Sequence, residues 1–297
     1  MSRPYRRAAL PTAAAATAVA AVLGLAACSA SSGQSGSSSD AQAVKVNPAD
    51  DQLAADPLAA VRAAADITGH NGSIQDVTTL HTVAAKKQML LHGTGVYDYS
   101  SHLGRVEVTV PAGSGTAPAG KLTEIVSPGL VYLQNSGAKV PAGKWVKLSV
   151  QQLGDGNLVS SGATDPASAA DALRGAETAQ LVDSATVNGV VLKHFRGTLD
   201  LTAAAKATGG PSSQGLALAA HTFTVKKVPY DVWLDEHGRI NKIVEVFTFA
   251  QVPGSTAAKD QVVVTSTSVF SGFGTPVQVA VPSDADIVAP SAAAGSK

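Results

Sequence analysis

The stretch that decides the fold reads TAQLVDSATV (178–187), NG (188–189) and VVLKHFRGTLD (190–200). Asn-Gly is a preferred pair for a two-residue type I′ turn, because both central residues of that turn take positive φ angles. The segments on either side have the length of strands and are rich in valine, leucine and threonine. The stretch therefore predicts an antiparallel β-hairpin.

The same kind of segment recurs on both sides of this hairpin. The alternation is clearest at 105–110, where Val106, Val108 and Val110 share one face of a strand. Turn-type residues separate the segments, as in a run of antiparallel hairpins. Further strands are predicted at 74–84, 88–99, 103–110, 121–127, 130–134, 144–150, 225–234, 239–251, 260–270 and 277–281.

Three segments break the β pattern. Residues 50–68 and 165–175 carry apolar residues at helical spacing, and Asp56-Pro57 and Asp165-Pro166 supply helix start signals. Residues 201–218 are rich in Ala, Gly and Ser and predict a helix followed by a loose loop. This order argues against alternating βαβ units. We expect an α+β fold whose antiparallel sheet wraps around helices or closes into a barrel.

The first 28 residues have the layout of an export signal. Three arginines precede a mostly apolar run that ends in Leu25-Ala26-Ala27-Cys28. This ending resembles the lipobox of bacterial lipoproteins, in which a diacylglyceryl group is attached to the cysteine and the signal is cut before it. Cys28 is the only cysteine of the chain, which favours a lipobox over an ordinary signal peptide with an accidental cysteine. We expect residues 1–27 to be removed and Cys28 to be the lipid attachment site.

The rest of the chain divides by composition. Residues 28–49 are rich in Ser and Gly and predict a flexible linker with a reach of about 25 Å. Residues 50–288 are long enough for a domain with a sizeable core, and 289–297 predict a disordered tail. We expect the protein on the outer face of the cell membrane, anchored through acylated Cys28. Export is expected by general secretion, with the twin-arginine route as the alternative.

Composition and motifs exclude several classes of function. Removal of residues 1–27 leaves 22 − 3 = 19 Lys and Arg against 22 Asp and Glu, so a nucleic-acid partner is not expected. The seven histidines show no metal-ligand spacing, and no G-x-S-x-G or dinucleotide motif is present. We therefore expect no catalytic residues, no metal and no cofactor. Asp231 and Asp235 are interpreted as residues of a solvated strand face, and Trp145 and Trp233 as core or rim.

Three segments carry a resemblance to a known family. They are KWVK (144–147), HFRGTLD (194–200) and VPYDVWLDEHGR (228–239). In this order and behind a lipobox, they resemble the actinobacterial LppX/LprG-type lipoproteins and their broader LolA-like relatives, over roughly residues 50–282. The resemblance implies a strongly curved antiparallel sheet, a half-open β-barrel of about 10–11 strands, packed on a few helices.

The resemblance also implies a function. Proteins of this kind bind and transfer a lipid, a glycolipid or a lipidated molecule in an apolar cavity, without chemistry. Strand parity places Tyr230, Val232 and Leu234 on one face, and Val146 and Leu148 on another apolar face. These five residues are candidates for the cavity wall or for plain core. The alternative is a surface lipoprotein with a filled interior that binds a protein or a polymer. We expect a monomer.

The substitution Cys28→Ser tests the anchor. Each buried methylene of an acyl chain contributes about 0.8 kcal/mol to membrane binding, and two or more chains hold a protein stably. The exported variant is expected in the soluble fraction after cell fractionation, whereas the wild type and the neighbouring control Ser29→Ala sediment with the membranes. Retention of exported Cys28→Ser at the wild-type level would contradict the anchor.

Overall fold

The computed structural model describes residues 52–85, 87–112, 120–136, 140–159, 165–250 and 257–288. The predicted signal segment, Cys28, the linker and the tail lie outside them. The helices are α1 (Gln52–Ala55), α2 (Pro57–Gly69), α3 (Pro166–Ala172), α4 (Leu201–Ala207) and α5 (Gly210–Thr222). The strands are β1 (Ser73–Ala84), β2 (Lys87–Asp98), β3 (Leu103–Val110), β4 (Gly120–Ser127), β5 (Leu130–Gln134), β6 (Trp145–Ser149), β7 (Ala176–Val187), β8 (Val190–Asp200), β9 (Lys227–Asp235), β10 (Ile240–Ala250), β11 (Gln261–Ser271) and β12 (Ile287–Val288). None of the described helices is long and apolar enough to cross a membrane.

The strands form one open sheet in the order β12-β6-β5-β4-β3-β2-β1-β11-β10-β9-β8-β7. Neighbours that follow one another in the chain pair antiparallel. Most of them are hairpins, including the pair β7–β8 around Asn188-Gly189, whereas α4 and α5 connect β8 to β9. The prediction of a half-open antiparallel sheet is confirmed in its architecture, with two differences. Within the described residues, the sheet has twelve strands rather than about 10–11. It is also mixed, because β12 pairs with β6 in parallel.

The sheet is strongly curved around the helices. Strands β6 and β8 are nine positions apart, which is about 43 Å in a flat sheet at about 4.8 Å per strand. Helix α5 nevertheless reaches both sides. A Cβ atom at Gly215 would lie 3.6 Å from Val150, the residue after β6, and Ser213 donates a hydrogen bond of 3.1 Å to the carbonyl oxygen of Ala205 in α4. Because α4 directly follows β8, the sheet must curl to bring both ends to α5.

The helices lie on one face of the sheet, here called the inner face. In β1, the inner face carries Ile74, Asp76, Thr78 and Leu80, all of which are buried. The side chains between them point to the outer face, where Val77 is exposed. The same alternation runs through the neighbouring strands, because the ladders keep their register across β1, β2 and β11.

Two apolar clusters share the inner face. The larger one, the helix-covered core, joins residues of α2 to α5 with residues of β7 to β11, among them Val61, Leu173, Leu216, Phe195, Val232 and Phe247. The buried members of the second apolar cluster are all sheet residues: Leu80, Leu91, Val106, Val108, Val110, Leu122, Val262 and Val264. The helices pack chiefly on β7, β8 and β10, so the second cluster lies beside the helical layer.

Two predicted elements differ from the structure. Residues 201–218 form the helix α4 and the start of a second helix, α5, rather than a helix and a loose loop. Pro211 is in the first turn of α5, and Leu216, Ala219 and Ala220 are buried there, so tertiary packing stabilises a segment of low helix propensity. The strand predicted at 277–281 is also wrong. Val279 instead packs on the outer face against Ile125, Tyr132 and Trp145.

The substitution Gly197→Ala tests the packing of the β7–β9 side of the sheet. A Cβ atom at Gly197 would lie 1.9 Å from the carbonyl oxygen of Thr178 and 2.7 Å from the Tyr230 hydroxyl, which donates a hydrogen bond of 2.7 Å to that carbonyl. We expect the free energy of unfolding to fall by about 1–3 kcal/mol, as measured by urea unfolding of the full chain. The control Gly154→Ala, whose nearest contact would be 3.9 Å away, is expected to stay within about 0.5 kcal/mol of the wild type. Equal stability of Gly197→Ala and the control would contradict the described packing.

Candidate functional site

The structure places all five predicted cavity-wall residues on the inner face. Tyr230, Val232 and Leu234 of β9 are at most 1% exposed and belong to the helix-covered core. Val146 and Leu148 lie in β6, near the other end of the sheet. In the β5–β6 ladder, they stand opposite inner-face residues of β5. Val146 is buried and Leu148 is half-buried. That these residues line a ligand cavity stays a prediction.

The two tryptophans lie on the outer face. The ring of Trp233 stacks on His194 with 4.2 Å between ring centroids, and His194 Nε2 lies 2.5 Å from Asp231 Oδ1. Trp145 packs with Ile125 under the C-terminal segment. Neither tryptophan therefore contributes to the inner face.

Asp231 and Asp235 do not form one solvated face. Asp231 is half-buried and accepts a hydrogen bond of 2.8 Å from Arg196 Nε. Asp235 is 1% exposed and accepts from Arg239 Nε at 2.7 Å and from the backbone N–H of His237 at 3.0 Å. The interpretation as a solvated pair is wrong, because Asp235 is buried and its hydrogen bonds stabilise the β9–β10 turn.

A row of buried polar side chains crosses the inner face and is the most unusual feature of the sheet. It consists of Asp76 and Thr78 in β1, Ser268 in β11 and Glu245 in β10, here called the polar track. All four residues are at most 1% exposed. Thr78 stands directly opposite Ser268, and Glu245 stands opposite Ser266, one inner-face step further along. Directly opposed residues have Cβ atoms about 5 Å apart and diagonal neighbours about 7–8 Å, so the four groups form a contiguous row.

The polar atoms of the track have no hydrogen-bond partner in the described part of the chain. This holds for both carboxyl oxygens of Asp76 and Glu245 and for the hydroxyls of Thr78 and Ser268. A buried polar group without a partner costs about 1–3 kcal/mol, and native proteins rarely keep one. Glu124, on the same inner face, shows the usual arrangement, since its Oε1 accepts from Asn157 Nδ2 at 2.8 Å. The polar atoms of the track therefore need a hydrogen-bond partner.

Burial also sets the protonation of the two track carboxyls. It raises the pKa of Glu245 well above its ordinary value. The pKa of Asp76 is raised mainly by burial and further by the nearby carboxyl of Asp165. Both groups thus keep a proton at pH values at which an exposed carboxyl has lost it. Each can then donate one hydrogen bond and accept others.

The track lies along the border between the two apolar clusters. Leu80 of the second cluster follows Thr78 on the inner face of β1 and stands opposite Leu91. On the β2 side, Gly93 and Gly95 stand opposite Thr78 and Asp76. The arrangement combines polar groups that lack a partner among the described residues with an adjacent apolar cluster.

A cleft of about 460 Å³ opens at the end of the sheet where β1 begins. Arg174 forms a bidentate pair with Asp66, both bonds being 2.9 Å, and also donates to Asp171 Oδ1 at 2.8 Å. The Arg174 guanidinium lowers the pKa of Asp66, whereas burial raises the pKa of Asp171. The cleft is lined by Ala65, Asp66, Gly69, His70, Tyr99, His102, Ala167, Asp171, Arg174, Gly209, Gly210, Pro211 and Ser212.

Tyrosines and a carboxyl connect this cleft to the track. Tyr99 lines the cleft, and its hydroxyl has no partner among the described residues. Its ring meets that of Tyr97 edge-on at 4.9 Å. Burial and the carboxyl of Asp165 raise the pKa of both tyrosines, and Asp165 also acts on Asp76. A polar route thus leads from the cleft to the first residue of the track. In the described ranges, no group of three or more His, Cys, Asp or Glu could hold a metal ion.

Sequence reasoning missed the polar track, although strand parity carries its signal. Asp76 and Thr78 stand between Ile74 and Leu80 at alternating positions, so the apolar face of β1 must include them. Glu245 has the same position between the apolar inner-face residues of β10. A carboxyl side chain at a strand position that faces the core is rare, so the sequence alone could have indicated these residues.

The comparisons with known proteins concern structure only. No family model matches the chain, and no curated protein matches it. LppX of Mycobacterium tuberculosis, a lipoprotein, is 14% identical with a TM-score of 0.44, over 76% of this chain and 100% of that one. LprF of Mycobacterium bovis is 12% identical with a TM-score of 0.42, over 76% and 98%. A putative outer membrane lipoprotein-sorting protein domain from Vibrio parahaemolyticus is 9% identical with a TM-score of 0.30, over 73% and 95%.

The substitution Glu245→Gln tests the buried carboxyl through pH. Because its pKa is raised in the folded state, the folded chain keeps a proton that the unfolded chain loses near its ordinary pKa of about 4.3. The stability contribution is therefore full below that pH and declines as pH rises toward the folded-state pKa. Glutamine cannot ionise. Over this pH window, the free energy of unfolding of the variant should therefore fall less steeply than that of the wild type, by up to about 1.4 kcal/mol per pH unit. Urea unfolding of the full chain from about pH 4 to about pH 8 measures it.

The control for this experiment is Glu236→Gln, at an exposed position in the β9–β10 turn. It should follow the wild-type pH dependence. If Glu245→Gln also follows the wild type, the carboxyl of Glu245 is not held neutral by burial.

Proposed function

We propose that this chain is an exported lipoprotein, anchored through acylated Cys28, that binds a lipid or lipidated molecule on the inner face of its sheet and catalyses no reaction. The observation that carries the proposal is the polar track beside the second apolar cluster. A ligand with an apolar chain and a polar end supplies partners to both. Ligand sites of this kind are mostly apolar with a few polar groups that fix orientation.

The energetics favour such a ligand. An acyl chain that packs against the second apolar cluster gains about 25 cal/mol for each Å² of its own apolar surface that is removed from water. Its polar end supplies hydrogen bonds to groups that otherwise cost about 1–3 kcal/mol each. Ligand binding then offsets the free-energy cost of these polar groups in the folded chain.

The position of the cleft supports access from a membrane. A Cβ atom at Gly238, in the β9–β10 turn, would lie 3.6 Å from Leu53 of α1, so the chain enters the domain at this end of the sheet. The β1 start, with the cleft, lies at the same end, because Gln75 pairs with Ser271 where β11 ends. Helix α1, the first described element of the domain, therefore lies at the end of the sheet where the cleft opens. This arrangement supports exchange of the ligand with the bilayer.

A second candidate function is recognition of a protein partner. Three exposed valines lie at the tip of the β7–β8 hairpin, which extends past the last ladder pair of β8 with β9, and a fourth lies further down β7. Exposed apolar patches mark interaction sites. The tip valines are Val187, Val190 and Val191 and the fourth is Val182, each 40–48% exposed.

Lipid extraction tests the proposed function. The full chain is purified from membranes in detergent and extracted with organic solvent, and the extract is analysed by mass spectrometry. Leu91→Asn places an amide in the second apolar cluster, whereas Leu90→Asn, one residue away, lies on the outer face with its side chain 47% exposed. We expect a lipid in the extracts of the wild type and of Leu90→Asn, and a loss of about tenfold or more in Leu91→Asn.

Circular dichroism confirms that both variants are folded. An extract without lipid from the wild type, or equal lipid in both variants, would contradict lipid binding at the second apolar cluster. In that case, partner recognition at the hairpin tip becomes the favoured function.

A further inference from the structure

Given lipid binding as proposed above, the polar track specifies the polar end of the ligand. Its unpartnered groups run from Asp76, next to the cleft-side residues, through Thr78 and Ser268 to Glu245. Successive inner-face residues along one strand are about 6.7 Å apart, and opposed residues on neighbouring strands about 5 Å. The row is therefore longer than a single hydrogen-bonding group of a ligand, and it fits a ligand end that carries several such groups.

The chemistry of the track matches hydroxyl groups. The hydroxyls of Thr78 and Ser268 donate and accept hydrogen bonds, and so does a protonated carboxyl. Burial keeps Asp76 and Glu245 in the protonated form, as their raised pKa values indicate. A hydroxyl group of a ligand also donates and accepts, so each track residue can pair with it in either direction.

The charges around the track disfavour ionic ends. The track contains no Lys or Arg, and the charged group that acts on Asp76 is the carboxyl of Asp165. A phosphate or carboxylate end would bury its negative charge beside track residues that supply no cation, and an unpaired buried charge is costly. A cationic end would need ionised carboxylates, which burial disfavours at Asp76 and Glu245.

We propose that the polar track binds the uncharged, hydroxyl-bearing end of a lipid and discriminates against lipids whose polar end is a phosphate. The hydroxyl-bearing end lies along Asp76, Thr78, Ser268 and Glu245. The acyl chains lie on the neighbouring second apolar cluster.

A competition between two lipids with identical chains tests the proposal. The full chain in detergent is incubated with equal amounts of dioleoylglycerol and dioleoylphosphatidate, and the bound lipid is read by native mass spectrometry. The two probes share their acyl chains and differ in a hydroxyl against a phosphate. We expect the wild type to carry at least about tenfold more dioleoylglycerol.

Two double variants assign the preference to the track. Thr78→Val/Ser268→Ala removes two unpartnered inner-face hydroxyls. Thr79→Val/Thr267→Val changes the next opposed pair of the same two strands, on the outer face. The inner-face variant should lose most of the preference and keep the binding of acyl chains, whereas the outer-face control should keep the wild-type ratio. The single variant Ser268→Ala, with a smaller expected loss, repeats the test if the double variant does not fold.

The outcomes separate this proposal from the proposed function. Equal binding of both probes by the wild type, or a preference for dioleoylphosphatidate, overturns the assignment of the track and leaves lipid binding intact. An unchanged ratio in the inner-face variants also overturns it and indicates that buried water satisfies the track. Binding of neither probe, together with a lipid-free extract from membranes, contradicts lipid binding itself.

Discussion

Helix α5 contacts the residue after β6 and the helix after β8. The sheet can bring these two distant strands close to one helix only if it is strongly curved. This constraint fixes the other features of the inner face. The helices fill the side formed by β7 to β11 with a close-packed core, and they leave the second apolar cluster of β1 to β4 and β11 beside them. The polar track lies at the border between these two clusters.

The track is a local exception to the rules that stabilise the rest of the sheet. Glu124, elsewhere on the inner face, accepts a hydrogen bond from Asn157. At Asp76, Thr78, Ser268 and Glu245, the side-chain polar atoms have no partner among the described residues. Local rules are broken most often at functional sites, where the cost is offset elsewhere or by a ligand. A partner with hydroxyl groups and an apolar chain offsets it here.

Local patterns predicted most of the strands, because alternation, Asn188-Gly189 and the start signals at Asp56 and Asp165 act over a few residues. They could not predict α5, whose Gly- and Ser-rich start is stabilised by burial against distant segments. They also could not predict that the 277–281 segment covers the outer face instead of extending the sheet. The five wall candidates were correctly assigned to apolar faces. The track needed the register between β1, β10 and β11, which only long-range pairing sets.

The most direct measurement is an experimental structure of the full chain carrying dioleoylglycerol. The account predicts acyl density on the second apolar cluster, and the hydroxyl and ester oxygens of the glycerol within about 2.5–3.2 Å of polar atoms of Thr78, Ser268 and at least one track carboxyl. A ligand bound elsewhere, with the track in contact only with water or with other residues of the chain, would contradict the account.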